Sequence, residues 1–104
     1  MESNLERINK ELDEVSLEYK KLEVMELDAE LELTRKESEL LTSDIIDGKN
    51  EATRKAQLNQ LTVEEKNKVY EVKKALINLQ YRLDSLERLW YIEKLKYKEK
   101  EPLH

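Results

Sequence analysis

The chain has 104 residues, of which 38% are hydrophobic and 41% are charged, and its formal net charge is −5 at neutral pH. A composition of this kind excludes a large buried core and more than one domain. One glycine and one proline are too few for the turns of a sheet, and the absence of cysteine excludes disulfides, thiolate catalysis and cysteine zinc sites. We therefore expect a single helical domain over residues 1–104.

The first half of the sequence predicts a long helix over about residues 4–46. Ser3 and Glu6 have the spacing of a capping box at its start. Behind them, apolar residues recur at alternating intervals of three and four, which is the spacing of a coiled-coil seam. The members of this seam are Leu5, Ile8, Leu12, Val15, Tyr19 and Leu22, followed more loosely by Met25, Ala29, Leu33 and Leu40.

The same helix carries a second apolar face. At 100° per residue, a further set of apolar residues lies roughly opposite the seam; its members are Leu17, Val24, Leu27 and Leu31. A helix that is apolar on two sides requires two neighbours, of which one is the second half of the chain and the other is a second subunit or a partner protein. These four residues, together with Tyr91, form the candidate interaction or oligomer surface.

Residues 47–61 predict a connector that contains a short helix. Gly48, preceded by Asp47, suits the left-handed position that ends many helices. Asn50 is a favourable N-cap for the short helix, and an acidic residue follows it at the positive end of the helix dipole. The candidate connector residues are Asp47, Gly48, Asn50 and Arg54.

A second long helix is predicted over about residues 63–101. Thr62 and Glu65 have the spacing of another capping box. Pro102 limits the far end, because the residue before a proline is disfavoured in the α region. The seam of this helix is cleaner, with only Glu93 interrupting the order; its members are Val69, Val72, Leu76, Leu79, Leu83, Leu86, Trp90 and Tyr97.

Charge favours pairing of the two long helices. Residues 1–52 carry a net charge of −9 and residues 53–104 a net charge of +4. Together with the similar helix lengths, this predicts an all-α fold, an antiparallel two-helix coiled-coil-like hairpin with a short connector helix. One buried stripe per helix is a small core, so we expect the hairpin to dimerise into a helical bundle. The alternative is a domain-swapped pair, in which the long helices meet between two chains.

The string DGKNEATRKAQL resembles a connector in small helical proteins encoded by bacteriophages and prophages. In that connector a glycine-containing turn is followed by Asn, an acidic residue and Arg-x-Ala; the matching residues here are Asp47, Gly48, Lys49, Asn50, Glu51, Arg54, Lys55 and Ala56. The match covers about a dozen positions, within a similar helix–connector–helix layout. The resemblance implies a phage or prophage origin and an accessory role near DNA recombination or replication, or against host defence.

The sequence predicts no catalytic, cofactor or metal site. The single histidine is His104, and no phosphate loop, nucleophile elbow or HExxH pattern occurs. Glutamates spaced like Glu26 and Glu30 are typical of a solvated helix face. We therefore expect a non-enzymatic protein that acts by protein–protein interaction, with itself as a homodimer and with a host or phage protein as its partners.

The sequence also predicts the compartment. No apolar run reaches the length of a membrane span, and residues 1–20 lack the apolar core of a signal peptide. We therefore expect a cytoplasmic protein without a membrane partner, in the host bacterium if a phage encodes it.

The C-terminal stretch RLWYIEKLKYKEK supports an alternative function. Its basic and aromatic residues form a mixture that can neutralise phosphates and stack on single-stranded bases; the candidate nucleic-acid contacts are Arg88, Lys94, Lys96, Lys98 and Tyr97. Packing is the favoured explanation for the aromatic residues, because Trp90 and Tyr97 continue the seam. A further alternative is an acidic DNA mimic that inhibits a host defence protein, with a carboxylate row formed by Glu23, Glu26, Glu30, Glu37 and Asp44.

Overall fold

The computed structural model describes residues 3–43 and 45–99. Within these ranges 91% of the residues are helical and no strand occurs. The helices are α1 (Asn4–Thr42), α2 (Glu51–Leu61) and α3 (Val63–Glu99). The predicted all-α hairpin is confirmed, because α1 and α3 pack against each other and α2 lies in the connection between them.

Several sequence predictions lie outside the described residues. They concern the end of the second long helix at residue 101, the limit that Pro102 sets on that helix, and the positions of Asp44, Lys100 and His104. The described chain forms two compact units. The first contains the segment that ends at Leu22 and the segment that begins at Ala75, and the second is Glu23–Lys74.

In the first unit, the N-terminal part of α1 and the C-terminal half of α3 bury their seams. The buried side chains are Ile8, Val15, Leu76 and Leu86. Other seam residues are half-buried, as expected where two helices leave their flanks in water; they are Leu5, Leu12, Tyr19, Leu22, Leu79, Leu83 and Trp90. The backbone N–H of Glu6 donates to Ser3 Oγ at 3.1 Å, so the predicted cap of α1 forms.

An ion pair sets the register of the two helices in this unit. The Arg82 guanidinium donates to Glu11 Oε1 at 2.7 Å. That hydrogen bond, with the nearby carboxylates of Glu18 and Glu14, raises the pKa of Arg82 above its ordinary value. Because both side chains of the pair are well exposed to water, the pair contributes more to register than to stability.

The end of α3 extends beyond the start of α1. Asn4 begins α1 and lies only 7 positions before Glu11, whereas Tyr97 lies 15 positions after Arg82. No residue of α1, all of which is described, therefore lies opposite Tyr97, and that side chain is 61% exposed. The prediction that Tyr97 continues the buried seam is wrong, because the register leaves this end of α3 without a partner helix.

The second unit contains the rest of α1, the connector, α2 and the start of α3. Its buried residues are Ala29, Leu40 and Thr62. Two ion pairs join α1 to α3, Glu32–Lys68 at 3.2 Å and Glu30–Lys73 at 3.4 Å. From the first pair to the second, the α1 residue number falls from 32 to 30 while the α3 residue number rises from 68 to 73. The two helices therefore run antiparallel here.

Met25 departs from the predicted seam. Its side chain is exposed, whereas the next seam residue, Ala29, is buried. Both residues line a hollow of about 180 Å³ that Val72 also borders. The small Ala29 side chain does not fill the space between the helices, and Met25 lies at the edge of that space instead of inside it.

The first long helix ends at Thr42, four positions earlier than predicted. The Thr42 hydroxyl donates to the Ser38 carbonyl oxygen at 2.9 Å, and the Ser43 hydroxyl donates to the Leu40 carbonyl oxygen at 3.0 Å. The Leu40 carbonyl is a group that a further helical turn would otherwise use, whereas the Ser38 carbonyl is also the ordinary acceptor of the Thr42 N–H within the helix. Consecutive hydroxyl residues therefore end the helix before the predicted glycine stop.

The predicted capping box at Thr62 and Glu65 does not form. Thr62 follows α2 directly, and its hydroxyl donates back to the Leu58 carbonyl oxygen at 2.8 Å. Among the described residues, Glu65 Oε2 has no hydrogen-bond partner, although that atom is buried. Thr62 thus closes α2, while its own carbonyl oxygen accepts from the Lys66 N–H at the start of α3.

Candidate interaction surfaces and the connector

The connector approaches the first turn of α2 very closely at Gly48. A Cβ atom at this position would lie 2.7 Å from the backbone N of Arg54 and 3.0 Å from the carbonyl carbon of Thr53. Gly48 does not have a positive φ, so the predicted left-handed helix stop is wrong. Glycine is required here because any side chain would collide with the backbone of α2.

Asn50 is the N-cap of α2, as predicted. Its Oδ1 accepts a hydrogen bond from the N–H of Thr53 at 2.8 Å. Its carbonyl oxygen accepts from the N–H of Arg54 at 3.1 Å, and Glu51 occupies the first turn. These contacts satisfy N–H groups that the start of a helix would otherwise leave unpaired.

Gln57 holds the connector against α2, a role that the sequence did not indicate. Its Oε1 accepts from the backbone N–H groups of Asp47 and Gly48, both at 3.2 Å. Its Nε2 donates to Asp47 Oδ1 at 2.8 Å. A single amide side chain thus fixes Asp47 and Gly48, which lie three and two positions before the cap, and it explains how Asp47 contributes to the connector.

Arg54, the last predicted connector residue, borders an open hollow of about 480 Å³. Leu41 of α1 and Leu58 of α2 supply its apolar walls, and Glu51 and Lys55 supply charged ones. None of the residues of α2, all of which are described, is buried. The outer side of this helix is therefore accessible to a partner.

One exposed apolar region of the second unit is a stripe on α1, formed by Val24, Leu27 and Leu31. We call it the α1 outer stripe. Leu27 is 64% exposed, and the other two side chains are about half exposed. The intervals of three and four put the three side chains on one face, and at 100° per residue that face is opposite the buried Ala29. The predicted second apolar face of α1 thus lies in water in this unit.

In the first unit, Leu17 and Tyr91 are also exposed. Tyr91 lies on α3 beside a hollow of about 490 Å³, whose other walls are Asp84, Glu87, Arg88 and Ile92. All these residues belong to one helix, so the hollow is a feature of the outer surface of α3. Ile77, Tyr81 and Leu95 are exposed on the same helix. Ile77 and Leu95 lie off the predicted seam, where a second subunit or another partner was expected to cover them.

The basic and aromatic residues near the end of α3 make different contacts. Lys94 Nζ lies 4.7 Å from the centre of the Trp90 ring, a cation–π contact. Lys96 pairs with Glu93 at 3.4 Å, and the Arg88 guanidinium donates to Ser85 Oγ at 3.2 Å. Lys98 and Tyr97 are exposed. Lys94, Lys96, Tyr97 and Lys98 thus lie on a helix end beyond the start of α1, whereas Arg88 lies at the level of the first turn of α1.

Only part of the predicted carboxylate row is exposed to solvent without a pairing lysine. Glu30 pairs with Lys73, and both Glu26 and Glu37 are half-buried, whereas Glu23 is exposed. Asp44 lies outside the described residues. Because a lysine ammonium neutralises Glu30 at the centre of the row, its negative field is weaker than the sequence spacing alone indicates.

Neither a metal site, nor a membrane-spanning helix, nor a related protein is found for the described residues. In residues 3–43 and 45–99, no group of three His, Cys, Asp or Glu side chains is placed to hold a metal ion. None of the described helices is long and apolar enough to cross a membrane. Comparison with protein-family models, curated proteins and solved structures gives no match. The exposed helix faces are thus the features from which function is inferred.

Proposed function

We propose that this chain is a non-enzymatic accessory protein of phage type, which binds a host or phage protein through the exposed surface of its helices. The observation that carries this proposal is the α1 outer stripe, where Val24, Leu27 and Leu31 lie in water on one face. We further propose that the protein acts in the host cytoplasm and self-associates as a homodimer.

The spacing of the stripe indicates the chemistry of the partner. Apolar residues at intervals of three and four are recognised by an amphipathic helix or by an apolar groove. Each large aliphatic side chain that becomes fully buried contributes about 1.5–3 kcal/mol, before the cost of association is subtracted. Three such residues contribute about 4.5–9 kcal/mol, which is similar to the association cost of about 4–15 kcal/mol, so the stripe alone supports only a weak, reversible contact.

A capture experiment with a matched control tests this proposal. The variant carrying Leu27→Lys and Leu31→Glu removes two apolar side chains and leaves the net charge unchanged. The control carries Lys21→Glu and Glu39→Lys, two exposed positions of α1 outside the stripe. We expect the immobilised wild-type protein and the control to retain the same proteins from bacterial lysate, and we expect the stripe variant to lose them.

Two results would contradict the proposal. One is equal retention of the same proteins by the stripe variant and the control, since binding would then not use the stripe. The other is that the wild-type chain retains no protein and instead turns over a substrate. Circular dichroism of both variants confirms that each keeps the helix content of the wild type.

A second candidate function is nucleic-acid binding, and the exposure of Tyr97 is the observation that favours it. An aromatic side chain outside the core is available to stack on a base, and Lys96 and Lys98 flank it. Stacking contributes about 1–3 kcal/mol per base, and each neutralised phosphate makes binding more sensitive to salt. Single-stranded DNA is the ligand that suits this mixture.

For this candidate, the variant is Lys94→Glu with Lys98→Glu, and the control is Lys21→Glu with Lys55→Glu, which makes the same change of charge elsewhere. We expect the variant to lose binding of a fluorescent single-stranded oligonucleotide at low salt by about tenfold or more, and the control to change it far less. No binding of the wild-type chain at low salt, or equal losses in variant and control, would dismiss this function.

A further inference from the structure

The outer side of α3 in the first unit carries a second seam. Its members recur at intervals of four, three, four, three and four, which is the coiled-coil order; they are Ile77, Tyr81, Asp84, Arg88, Tyr91 and Leu95. We call this set the α3 outer seam. At 100° per residue it lies on the side of α3 opposite the buried Leu86.

The apolar members of this seam are unusually exposed. Ile77 and Tyr81 are 71% and 72% exposed, and Tyr91 and Leu95 also lie in water. Scattered exposed apolar residues are common on soluble proteins, but a regular apolar row along one helix is typical of an interaction surface. The α3 outer seam therefore has the pattern of a helix that packs against a second helix.

The centre of the seam is polar, and its charges identify the partner. Asp84 Oδ1 accepts from Gln80 Nε2 at 3.0 Å, and the Arg88 guanidinium donates to Ser85 Oγ at 3.2 Å. Each charge thus has a neutral partner on its own helix and remains exposed. An opposite charge from another helix is the partner that each would favour at a packed interface.

We propose that the α3 outer seam binds a second copy of this chain, with the two α3 helices antiparallel about a twofold axis next to residue 86. Asp84 and Arg88 lie two positions on either side of that residue, so each Asp84 meets Arg88 of the other copy. Tyr81 and Tyr91 lie five positions away and stack on each other, and Ile77 and Leu95 lie nine positions away and form the outer apolar layers.

This pairing is self-complementary only in the antiparallel direction. Antiparallel coiled coils pair the two kinds of seam position with each other, as all three layers do here. A parallel arrangement would instead place Asp84 beside Asp84 and Arg88 beside Arg88, which is unfavourable for like charges at an interface. The sequence of the seam therefore selects both the partner and its direction.

The hollow on the surface of α3 agrees with this pairing. Four of its walls, Asp84, Glu87, Arg88 and Tyr91, have the spacing of the four residues that surround an inserted side chain in a coiled coil. In the proposed register, the side chain that enters this hollow is Asp84 of the second copy, which then lies next to Arg88. Within the hollow, Arg88 is the wall that attracts this carboxylate, and Asp84 and Glu87 are the acidic walls that oppose it.

The inference rests on the proposed self-association and names the surface and the register. Its first test is charge reversal followed by sedimentation velocity at micromolar concentrations. Asp84→Arg and Arg88→Asp each place like charges in both central layers, so we expect each variant alone to weaken the dimer about tenfold or more. An equimolar mixture of the two variants restores opposite charges in both layers, and we expect it to associate as the wild type does.

Controls separate this inference from the broader proposal. Glu71→Arg, an exposed charge reversal on α3 outside the seam, should leave association unchanged, as should the stripe variant Leu27→Lys with Leu31→Glu. A wild-type chain that stays monomeric overturns both the inference and the homodimer but leaves partner binding standing. A wild-type dimer that the two charge variants do not weaken, or that their mixture does not restore, overturns the inference alone.

Direction is tested by disulfide trapping, which is direct here because the chain has no cysteine. In the antiparallel pair, Tyr81 of one copy meets Tyr91 of the other. We expect an oxidised mixture of Tyr81→Cys and Tyr91→Cys chains to give a covalent dimer, while either variant alone gives little. Equally efficient trapping within each single variant would show a parallel pair and overturn the proposed register.

Discussion

Replacement of Leu86 by alanine is expected to lower the free energy of unfolding by about 3 kcal/mol, because it removes the Cγ atom and both Cδ atoms from the centre of a seam and leaves a cavity. Leu86 is 6% exposed. Because native proteins are stable by only about 5–15 kcal/mol, a loss of this size is a large fraction of the total. We therefore expect urea denaturation followed by circular dichroism to show a variant that is largely unfolded under conditions where the wild type is folded.

Leu27→Ala is the matched control, because it makes the same chemical change on an exposed helix face. Its expected cost is about 0.5 kcal/mol or less, which is usual for surface substitutions. Both variants must be measured at one protein concentration, since association would add to apparent stability. Equal losses for the two variants would mean that the seam through Leu86 is not the core of the first unit.

Replacement of Gly48 by alanine is the second large effect that we expect. The added Cβ would lie 2.7 Å from the backbone N of Arg54, and backbone atoms cannot move aside as a flexible side chain can. The connector must then separate from α2, which would stretch both hydrogen bonds from the 47–48 backbone to Gln57. We expect a loss of about 1–3 kcal/mol in urea denaturation.

Lys49→Ala provides the comparison for this variant, since Lys49 is the exposed next residue. Its expected change is within about 0.5 kcal/mol. Hydrogen exchange adds a local readout, because the amides of α2 should exchange faster in Gly48→Ala than in Lys49→Ala. A Gly48→Ala chain as stable as the wild type would show that the close approach to Arg54 does not constrain the connector.

Much of the fold follows from local rules that the sequence displays directly. The alternating intervals of three and four predicted the buried positions Ile8, Val15, Leu76 and Leu86, because a helix must face its partner at that period. Ser3 and Asn50 were predicted as caps, because a side-chain oxygen at those positions reaches unpaired N–H groups nearby. Both kinds of inference need only residues a few positions apart.

The wrong predictions concern features that depend on distant residues. Gly48 was predicted to form a left-handed turn because glycine often ends helices in that way. Its actual role, a close contact with Arg54, depends on how α2 packs against the connector. Gln57 was missed because its acceptors and donors lie nine and ten positions away. Tyr97 was placed in the core because the register between α1 and α3 is not visible in the spacing of either helix alone.

The candidate surfaces were found in part. The second face of α1 was visible as a set of apolar residues off the seam, and Val24, Leu27 and Leu31 lie in water there. The outer seam of α3 was found only in part, because Ile77, Tyr91 and Leu95 were recognised as lying off the buried seam, whereas Tyr81, Asp84 and Arg88 were not linked to them. Asp84 and Arg88 interrupt the apolar row, so the regular order of the whole seam is not visible from its apolar residues alone.

The end of α3 that lies beyond the start of α1 can unfold locally. Beyond the point where α1 begins, the helix depends on its own backbone hydrogen bonds, and isolated helical turns are only marginally stable in water. The last turns can therefore melt and re-form while the buried seam near Leu76 and Leu86 stays closed. This end of the molecule is then a place where a ligand can change order without changing the fold.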